Sequence, residues 1–436
     1  MEKDMTTQHD ENRVDASPTK EFFISMLTRD IATDRAILDL IDNSIDAYQS
    51  SSRTDSVISI TINGDEFSIF DNAGGLDLDT AKEYAFRFGR SASSPPTPNS
   101  VGQFGVGMKR TLFKIAESFY VESRKNDISY RIDVDIQEWV SKESWDFFFD
   151  LLDKDSLREG VTNIAVKKLR PEASELFSEK TFSIGLGNEI AAAYFKQLAN
   201  GLTIELNGTS IRSEDIFVKV SDDLSCIKKS IDIDGVHVSI ICGVDDRELE
   251  DGGWYVICNG RLVAEADQSI ATGWGYSGTP KYHADFAFFR GIVEFSCPDS
   301  SKLPWTTTKT GVDQDNKIYK AALHHMSTSM KPVIAFLRER AQEVTHIKDG
   351  FISDTPLMRA IENAKAYRIY DAPAKDEFIR PERILPVDDN NKMANVQYAV
   401  PVEKIELVKK SLGVTTNREV GEKTFKYYFK YECGDE

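Results

Sequence analysis

Apolar residues recur at helical spacing between positions 34 and 49. They are Ile37, Leu38, Ile41 and Ile45. Residues three or four apart share one face of a helix, so this segment is expected to bury one side and expose the other. Asp34 stands where an N-cap residue is expected. The pattern predicts a helix over residues 34–49.

The next stretch alternates apolar and polar positions, which is typical of strands. SVISITINGDEFSIFD (56–71) divides at Asn63-Gly64, a dipeptide that favours a hairpin turn. SASSPPTPNS (91–100) predicts a loop, because its prolines and serines interrupt both helix and central strand. The turn GQFGVG (102–107) is then expected to open a second helix.

The remaining pattern predicts three further regions. A hairpin over 118–136, a strand at VTNIAVKKL (161–169) and a helix ending at Gly201 complete a first domain, 18–215, which follows a polar tail at 1–17. Strand-rich runs fill a second domain, 216–330. A C-terminal segment, 331–436, begins with a helix and closes with KTFKYYFKYE, which predicts an amphipathic strand with core-facing aromatics or, alternatively, a surface that stacks on bases.

Composition narrows the class of protein. The chain of 436 residues is 41% hydrophobic and 28% charged, which is ordinary for a folded protein of several domains. It lacks a long apolar run and an apolar leader, so we expect a cytoplasmic protein. The five cysteines form no CxxC pair, which argues against zinc. The net charge of −18 argues against broad nonspecific binding to DNA.

Three short motifs contain candidate chemistry. Asp39, Asn43 and Asp46 form one polar stripe on the first helix, although the spacing alone is more often a solvated face. Asp71 precedes small residues that would let a planar base approach the backbone. The glycines at 102–107 precede a helix, whose N-terminal N–H groups can hold phosphate. Each motif by itself is only suggestive.

The order and spacing of the motifs are more specific. DLIDNSIDA (39–47), DNAGG (71–75), GQFGVG (102–107) and GVTNI (160–164) together resemble the GHKL ATPase superfamily, which includes gyrase B, MutL, heat-shock-type chaperones, histidine kinases and MORC proteins. NGR (259–261) and LPWTTTKTG (303–311) are similar to the second, transducer domain of several members, so the resemblance covers residues from about 20 to 330. Met108 after Gly107 rules out a Walker A motif.

The resemblance implies an α+β fold. It comprises a Bergerat-fold sandwich with helices on one face of a mixed, mostly antiparallel sheet, then a smaller α/β transducer domain and a helical or mixed C-terminal segment. It also implies ATP and Mg²⁺ as ligands. The implied nucleotide-binding residues are Asn43, Asp46, Ala47, Asp71, Gly75, Gly102, Gln103, Phe104, Gly105, Val106, Gly107, Met108, Lys109 and Thr162.

The resemblance assigns roles to several of these residues. Asn43 is expected to coordinate Mg²⁺, and Asp71 to accept the adenine amino group, with Gly75 and Thr162 completing the base pocket. Residues 88–101 are expected to form the ATP lid. Lys309 is expected to reach the γ-phosphate from the second domain, with Lys302 as a rival and a solvated loop lysine as the alternative.

Two departures from the family pattern bear on catalysis. The expected general base is Asp39, where hydrolytic members usually have the longer Glu, so hydrolysis is expected to be slow. Ala73 replaces the first glycine of the common DxGxG pattern and narrows the adenine pocket.

We expect an ATPase that closes or forms a homodimer on binding ATP. The favoured role is a DNA-acting clamp of the MORC or MutL kind in a prokaryotic restriction or anti-phage system. The alternatives are a chaperone-like clamp on protein clients and an ATP sensor that regulates a partner effector.

Overall fold

The computed structural model describes residues 16–51, 53, 55–88, 99–102, 106–213, 215–386 and 396–434. By their internal packing, the residues divide into a large unit, 1–385, and a small unit, 386–436. The predicted lid overlaps residues 89–98, which lie outside the described part of the chain, as do Gln103, Phe104 and Gly105.

An eight-stranded sheet forms the first half of the large unit. Its order is β5-β4-β3-β6-β2-β1-β7-β8, with β1 and β7 parallel and the other neighbours antiparallel. The strands are β1 Val57–Ile62, β2 Phe67–Asp71, β3 Ala116–Lys125, β4 Ile128–Asp135, β5 Asp150–Leu152, β6 Val161–Leu169, β7 Thr203–Leu206 and β8 Thr209–Ser210. The predicted turn at Asn63-Gly64 joins β1 to β2, and the predicted hairpin corresponds to β3 and β4.

Helices cover this sheet and share its core. They are α1 Lys20–Arg29, α2 Thr33–Ser50, α3 Leu78–Thr80 with a π-helical turn Ala81–Ala85, α4 Gly107–Ile115, α5 Ile136–Ser141, α6 Pro171–Ser178, α7 Lys180–Ala193 and α8 Phe195–Ala199. Ile37, Ile41 and Ile45 of α2 join Ile58 and Ile60 of β1 in one hydrophobic cluster. Alternate residues of β1 are buried, as expected for a strand with one covered face.

Helix α2 confirms the helix predicted over residues 34–49, except for the residue that caps its start. The N-cap is Ala32, whose side chain makes no capping hydrogen bond. Asp34 lies inside the first turn, where its Oδ1 accepts a hydrogen bond from the backbone N–H of Arg35 at 2.7 Å. Asp34 is therefore not the N-cap, although a carboxylate in the first turn also suits the helix dipole.

A second, five-stranded sheet forms the other half of the large unit. Its order is β10-β11-β14-β12-β13, with β12 and β14 parallel. These strands are β10 Ile227–Ile233, β11 Val236–Val244, β12 Gly253–Cys258, β13 Arg261–Asp267 and β14 Phe289–Ser296. A two-stranded sheet pairs β9 Phe217–Val220 with β15 Lys365–Arg368.

A long helix packs on the second sheet. Helix α9, Lys317–Lys348, has 32 residues with Pro332 inside it, and α10 Pro356–Asn363 packs beside it. The helix runs through position 330, where the sequence suggested a domain boundary. The predicted helix at the start of the C-terminal segment is thus the second half of α9, and the boundaries proposed from sequence stay predictions.

The small unit is helical where the structure describes it. It contains α11 Val402–Leu412 and α12 Asn417–Tyr428, followed by a π-helical turn, Phe429–Gly434. The predicted strand at KTFKYYFKYE is therefore wrong, and its aromatics do not face a core. Phe425, Tyr427 and Tyr431 are all exposed. The alternation of lysines and aromatics fitted a strand locally, but a capping box at Thr416 and Glu419 starts a helix instead.

Within the described residues, no helix has the length and apolar character that crossing a membrane requires. The cysteines at 226, 242, 258, 297 and 433 are all free thiols.

Candidate active site

The polar stripe of α2 lies where the two halves of the large unit meet. Asp39 and Asp42 are both buried, with exposed fractions of 5% and 1%. Asn43 is exposed, and its side chain has no hydrogen-bond partner among the described residues. The alternative of a solvated face is therefore wrong for Asp39 but not for Asn43, and the burial of the two carboxylates requires cationic partners.

Lys309 supplies one of these partners from the other half of the unit. Its ammonium donates to Oδ2 of Asp42 at 2.6 Å and to Oδ1 of Asp39 at 3.3 Å. Only 5% of this lysine is exposed, so the solvated-loop alternative is wrong. The rival, Lys302, is exposed and donates to the carbonyl of Asp234 at 3.2 Å. The lysine that reaches α2 is thus Lys309.

A tight loop presents Lys309. Trp305 and Val312 form an isolated bridge at the base of the loop, and the N–H of Lys309 donates to the carbonyl of Thr306 at 2.9 Å. Lys309 itself has φ +53°, in the left-handed region that residues other than glycine seldom adopt. Such a backbone conformation is sustained only when surrounding contacts fix it, and it often marks a functional position.

Two arginines complete the charged cluster. Arg110 of α4 donates from its guanidinium to Oδ2 of Asp39, and Arg261 at the start of β13 donates from Nε to Oδ1 of Asp42 at 3.1 Å. Among the described residues, the cluster thus sets three cations against two carboxylates. An excess of buried positive charge favours a nearby anion.

The pKa values of the cluster follow from its charges. Burial alone would raise the pKa of Asp42, but the charges of Lys309 and Arg261 outweigh it, so the pKa lies below its ordinary value. Burial likewise tends to lower the pKa of Lys309, whereas Asp42 and Asp39 raise it above its ordinary value. Both shifts keep Asp42 and Lys309 ionised.

The sheet places a third carboxylate beside the helix. Asp71, the last residue of β2, pairs directly with Thr162 of β6. Its Oδ2 accepts a hydrogen bond from the hydroxyl of Ser44 at 2.8 Å, and its Oδ1 accepts one from the N–H of Ala73 at 3.0 Å. Burial raises the pKa of Asp71 above its ordinary value, which these hydrogen bonds only partly oppose. Each oxygen can accept a further hydrogen bond, so the carboxylate can still bind an amino group.

The glycines of the phosphate motif allow close approach to α2. A Cβ on Gly107 would lie 3.1 Å from Cβ of Asp39, and one on Gly102 would lie 3.0 Å from Oδ1 of Asn43. Helix α4 starts after Val106, whose side chain makes no capping hydrogen bond. Its first N–H groups have no intrahelical acceptor, so they are suited to bind phosphate.

Asp46 fixes the segment before this turn. Its Oδ1 accepts from the N–H of Val101 at 2.6 Å, and its Oδ2 accepts from the N–H of Gly102 at 2.8 Å and the hydroxyl of Ser100 at 2.7 Å. Burial nevertheless raises the pKa of Asp46 above its ordinary value. The predicted contact of Asp46 with nucleotide stays a prediction, and its observed role is to hold the end of the predicted lid on α2.

The side chains of Met108 and Lys109 point into the protein. Lys109 is 2% exposed, its ammonium donates to the carbonyl of Ala85, and it lies 5.6 Å from the ring of Phe88. Burial lowers the pKa of Lys109 to about 7. The nucleotide contact predicted for Met108 and Lys109 stays a prediction, and because both side chains are buried it would have to come from their backbone N–H groups.

A side chain at position 75 would also clash with its surroundings. Gly75 has φ +69°, and a Cβ there would lie 2.3 Å from the carbonyl oxygen of Arg124. Ala47 is half-buried on α2. Both stand near the residues that define the base end of the site, but their contact with a nucleotide stays a prediction.

The residues suit Mg²⁺ and a nucleotide together rather than a protein-bound metal alone. No group of three or more metal-ligating side chains of His, Cys, Asp or Glu occurs among the described residues. Asn43 offers one free amide oxygen beside the glycine turn, and Mg²⁺ commonly takes its remaining ligands from phosphates and water. The buried Nε of Arg110, which has no partner among the described residues, adds an unused donor at this end.

Comparison with known families agrees with this site. Residues 31–167 match the family model described as histidine kinase-, DNA gyrase B-, and HSP90-like ATPase. The match supports the GHKL superfamily for this segment, and with it ATP binding. With the large, mostly antiparallel sheet and its helices, it confirms the predicted α+β fold class. A comparison with curated proteins gives no match for this chain.

Sequence reasoning missed several members of the cluster. The sequence motifs assigned no role to Asp42 or to Arg110. Tyr194, whose hydroxyl donates to Oδ1 of Asp42 at 2.7 Å, and Ser44 gave no signal. The motif NGR did indicate Arg261, but not its partner.

Proposed function

We propose that the chain binds Mg·ATP against α2 and that Lys309 reports the γ-phosphate to the second half of the large unit. The observation that carries this proposal is the position of Lys309. A lysine from one sheet domain lies buried against the helix of the other, beside an uncapped helix N-terminus. A γ-phosphate there would bring negative charge into a cluster with a cation in excess.

In this proposal, the site has a base end and a phosphate end. Asp71 accepts the adenine amino group, with Thr162 beside it, and Ser44 fixes the carboxylate. Asn43 provides an oxygen ligand for Mg²⁺, and the N–H groups that follow Val106 receive the phosphates. Bound Mg²⁺ neutralises phosphate charge, and the protein contributes mainly position and electrostatics.

We further propose that hydrolysis is slow. The candidate base, Asp39, is shorter than the usual Glu, and both its oxygens are engaged, Oδ1 by Lys309 and Oδ2 by Arg110. Orienting water through either oxygen therefore competes with a charge-assisted hydrogen bond that is already present. This pairing supports the second candidate function, an ATP sensor for which ATP binding rather than turnover provides the signal.

Isothermal titration calorimetry tests the binding site. Wild type, Asn43→Ala and the matched control Asn200→Ala would each be titrated with ADP and with a non-hydrolysable ATP analogue, with Mg²⁺ present. Asn200 is an exposed asparagine at the C-cap of α8, so its loss should change nothing. We expect Asn43→Ala to lose roughly tenfold or more in affinity, as for a lost metal contact. Equal affinity of all three proteins would remove Asn43 from the site.

We propose a nucleotide-driven clamp on DNA as the use of this switch, in a prokaryotic restriction or anti-phage setting. The resemblance of the motifs to MORC and MutL supports the clamp. The charge of residues 402–430, the helical part of the small unit, supports contact with DNA, because this segment contains seven Lys or Arg and four Asp or Glu. The rest of the chain is acidic, since the small unit as a whole contains eight Lys or Arg and nine Asp or Glu and the full chain carries −18.

Binding of duplex DNA at two salt concentrations tests this role. Lys426→Ala with Lys430→Ala should weaken binding severalfold and reduce its salt dependence, because each lysine displaces counterions. Lys331→Ala with Lys348→Ala, at two exposed positions of α9, is a control of equal charge change outside this unit. If the double variant binds DNA as wild type does, the small unit is not the DNA contact.

A further inference from the structure

Lys309, the proposed γ-phosphate sensor, contacts two carboxylates of α2, and the contact with Asp42 is the shorter one. The ammonium of Lys309 lies 2.6 Å from Asp42 and 3.3 Å from Asp39. A lysine ammonium has three donors, and these two carboxylates accept from it. The longer bond to Asp39 is the weaker of the two contacts.

Asp42 is itself held by groups from both halves of the unit. Its Oδ1 accepts from the hydroxyl of Tyr194 at 2.7 Å and from Nε of Arg261 at 3.1 Å, while its Oδ2 accepts from Lys309. Arg261 also lies 4.8 Å from the ring of Tyr194. Every one of these side chains is buried, so the carboxylate has little freedom to follow a moving lysine.

The proposed function gives Asp42 no role, since it reserves Asp39 for the base and Asn43 for Mg²⁺. Yet Asp42 is the more deeply buried of the two carboxylates that contact Lys309, and it contacts two cations of the transducer-like half. Breaking a buried charge pair leaves the remaining charge unsatisfied and is strongly unfavourable. Loss of the Asp42 charge should therefore release the loop that presents Lys309.

We propose that Asp42 is the positioning residue of the sensor: it fixes the Lys309 ammonium beside the phosphate end before nucleotide arrives, and keeps that hold when the γ-phosphate replaces Asp39. Only the second part of this inference, that Asp42 keeps its hold on Lys309 when the γ-phosphate binds, rests on the proposed function. In this arrangement, γ-phosphate binding frees one oxygen of Asp39 without moving Lys309 away from α2. Asp42 acts through Lys309 and has no contact with the nucleotide.

Hydrogen exchange without nucleotide tests the first half. The full chain would be compared as wild type, Asp42→Asn and Lys196→Met. Lys196 pairs with Glu294, so Lys196→Met breaks a different ion pair between the two halves of the large unit, away from Lys309. We expect residues 304–312 to exchange about tenfold faster or more in Asp42→Asn, and at the wild-type rate in Lys196→Met. An unchanged rate in Asp42→Asn, or an equal increase in both variants, would overturn the proposal.

Nucleotide selectivity tests the second half. Asp42→Asn should keep the ADP affinity of wild type and reduce the preference for a non-hydrolysable ATP analogue over ADP by roughly fivefold or more. In a Lys309→Met background, Asp42→Asn should have no further effect on this preference. An effect that persists without Lys309 would mean a direct contact. A gain in ATP preference would mean that Asp42 competes with the γ-phosphate, and either result refutes the inference.

A milder variant keeps the proposal testable if Asp42→Asn does not fold. Tyr194→Phe removes the hydroxyl that donates to Asp42 and also lies 2.9 Å from the carbonyl oxygen of Leu38, without a change in charge, and circular dichroism would confirm its folding. We expect faster exchange of residues 304–312 and a reduced preference for the ATP analogue over ADP, both smaller than in Asp42→Asn. Wild-type values of both quantities would count against the proposal. If wild type binds no nucleotide at all, the proposed function fails. The exchange experiment still decides whether Asp42 fixes Lys309 in the absence of nucleotide.

Discussion

Asp39 is held by two cations in the structure, Lys309 and Arg110. If it is the base that orients water, Asp39→Asn should bind ATP with an affinity near that of wild type and lose most of the turnover, because an amide cannot take a proton. Single-turnover hydrolysis of radiolabelled ATP would measure this, with calorimetry as the check on binding. A turnover rate equal to that of wild type would show that another group orients the water.

The pH dependence of nucleotide binding should report on Asp71. Because burial raises its pKa, the folded chain takes up a proton at higher pH than the unfolded chain does. Between the ordinary carboxyl pKa and this raised value, acid therefore stabilises the nucleotide-free fold and removes the ionised acceptor for the adenine amino group. We expect the ADP affinity to fall as the pH decreases through the raised pKa.

Ser44 provides the matched variant for this measurement. Its hydroxyl donates to Asp71 and lowers the pKa of that carboxyl, so Ser44→Ala should raise the pKa further. The affinity curve of Ser44→Ala, measured by calorimetry across the same pH range, should shift to higher pH. If the affinity curves of the two proteins superimpose, the pH dependence of binding does not arise from Asp71.

At the scale of elements, the packing of α4 on α2 depends on a missing side chain. A Cβ on Gly107 would lie 3.1 Å from Cβ and 3.2 Å from Cγ of Asp39. Gly107→Ala should therefore move α4 away from α2, reduce the free energy of unfolding by about 1–3 kcal/mol and weaken nucleotide binding. Chemical denaturation with parallel calorimetry measures both effects.

Gly185 is the matched control, because it lies inside α7 with no atom within 4 Å of the position that a Cβ would take. Gly185→Ala should leave binding unchanged and stabilise the fold by up to about 1 kcal/mol, since alanine favours helix more than glycine does. If Gly107→Ala is equally harmless, the close approach of the two helices is not required.

The elements near the site were largely predictable from the sequence. Helix α2, the hairpin of β1 and β2, and the start of α4 all follow from local periodicity and glycine placement. The helix at 417–428 was not predicted, because lysines and aromatics alternate there as they do in a strand. The capping box that precedes it is a helix signal that outweighs this short alternation.

The partners of the buried charges were less predictable. Positions 42, 194 and 261 are far apart in the chain, and the only signal for any of them was the motif at 259–261. Local spacing shows that Asp42 lies beside the polar stripe, but only the packing of two sheet domains shows that it faces inward. The choice between Lys309 and Lys302 was likewise open until the fold placed the loop.

At the scale of the whole molecule, the predicted response to ATP is a change of assembly. Light scattering with and without a non-hydrolysable ATP analogue and Mg²⁺ should show a shift from monomer to dimer for wild type but not for Asp71→Ala, which lacks the adenine acceptor. If neither protein shifts, closure within one chain or regulation of a partner becomes the better description. A dimer that forms without nucleotide would also contradict the prediction.

Helix α9 begins shortly after the loop that presents Lys309 and continues for 32 residues. At 1.5 Å per residue, it extends over about 48 Å, so a rotation of the second sheet and this helix together about the sensor would be amplified toward Lys348. A tilt too small to disturb the hydrogen bonds at Lys309 becomes a displacement of several ångströms at Lys348, in proportion to distance from the pivot. A spectroscopic label at Lys348 would therefore detect the nucleotide state with greater amplitude than one beside the site itself.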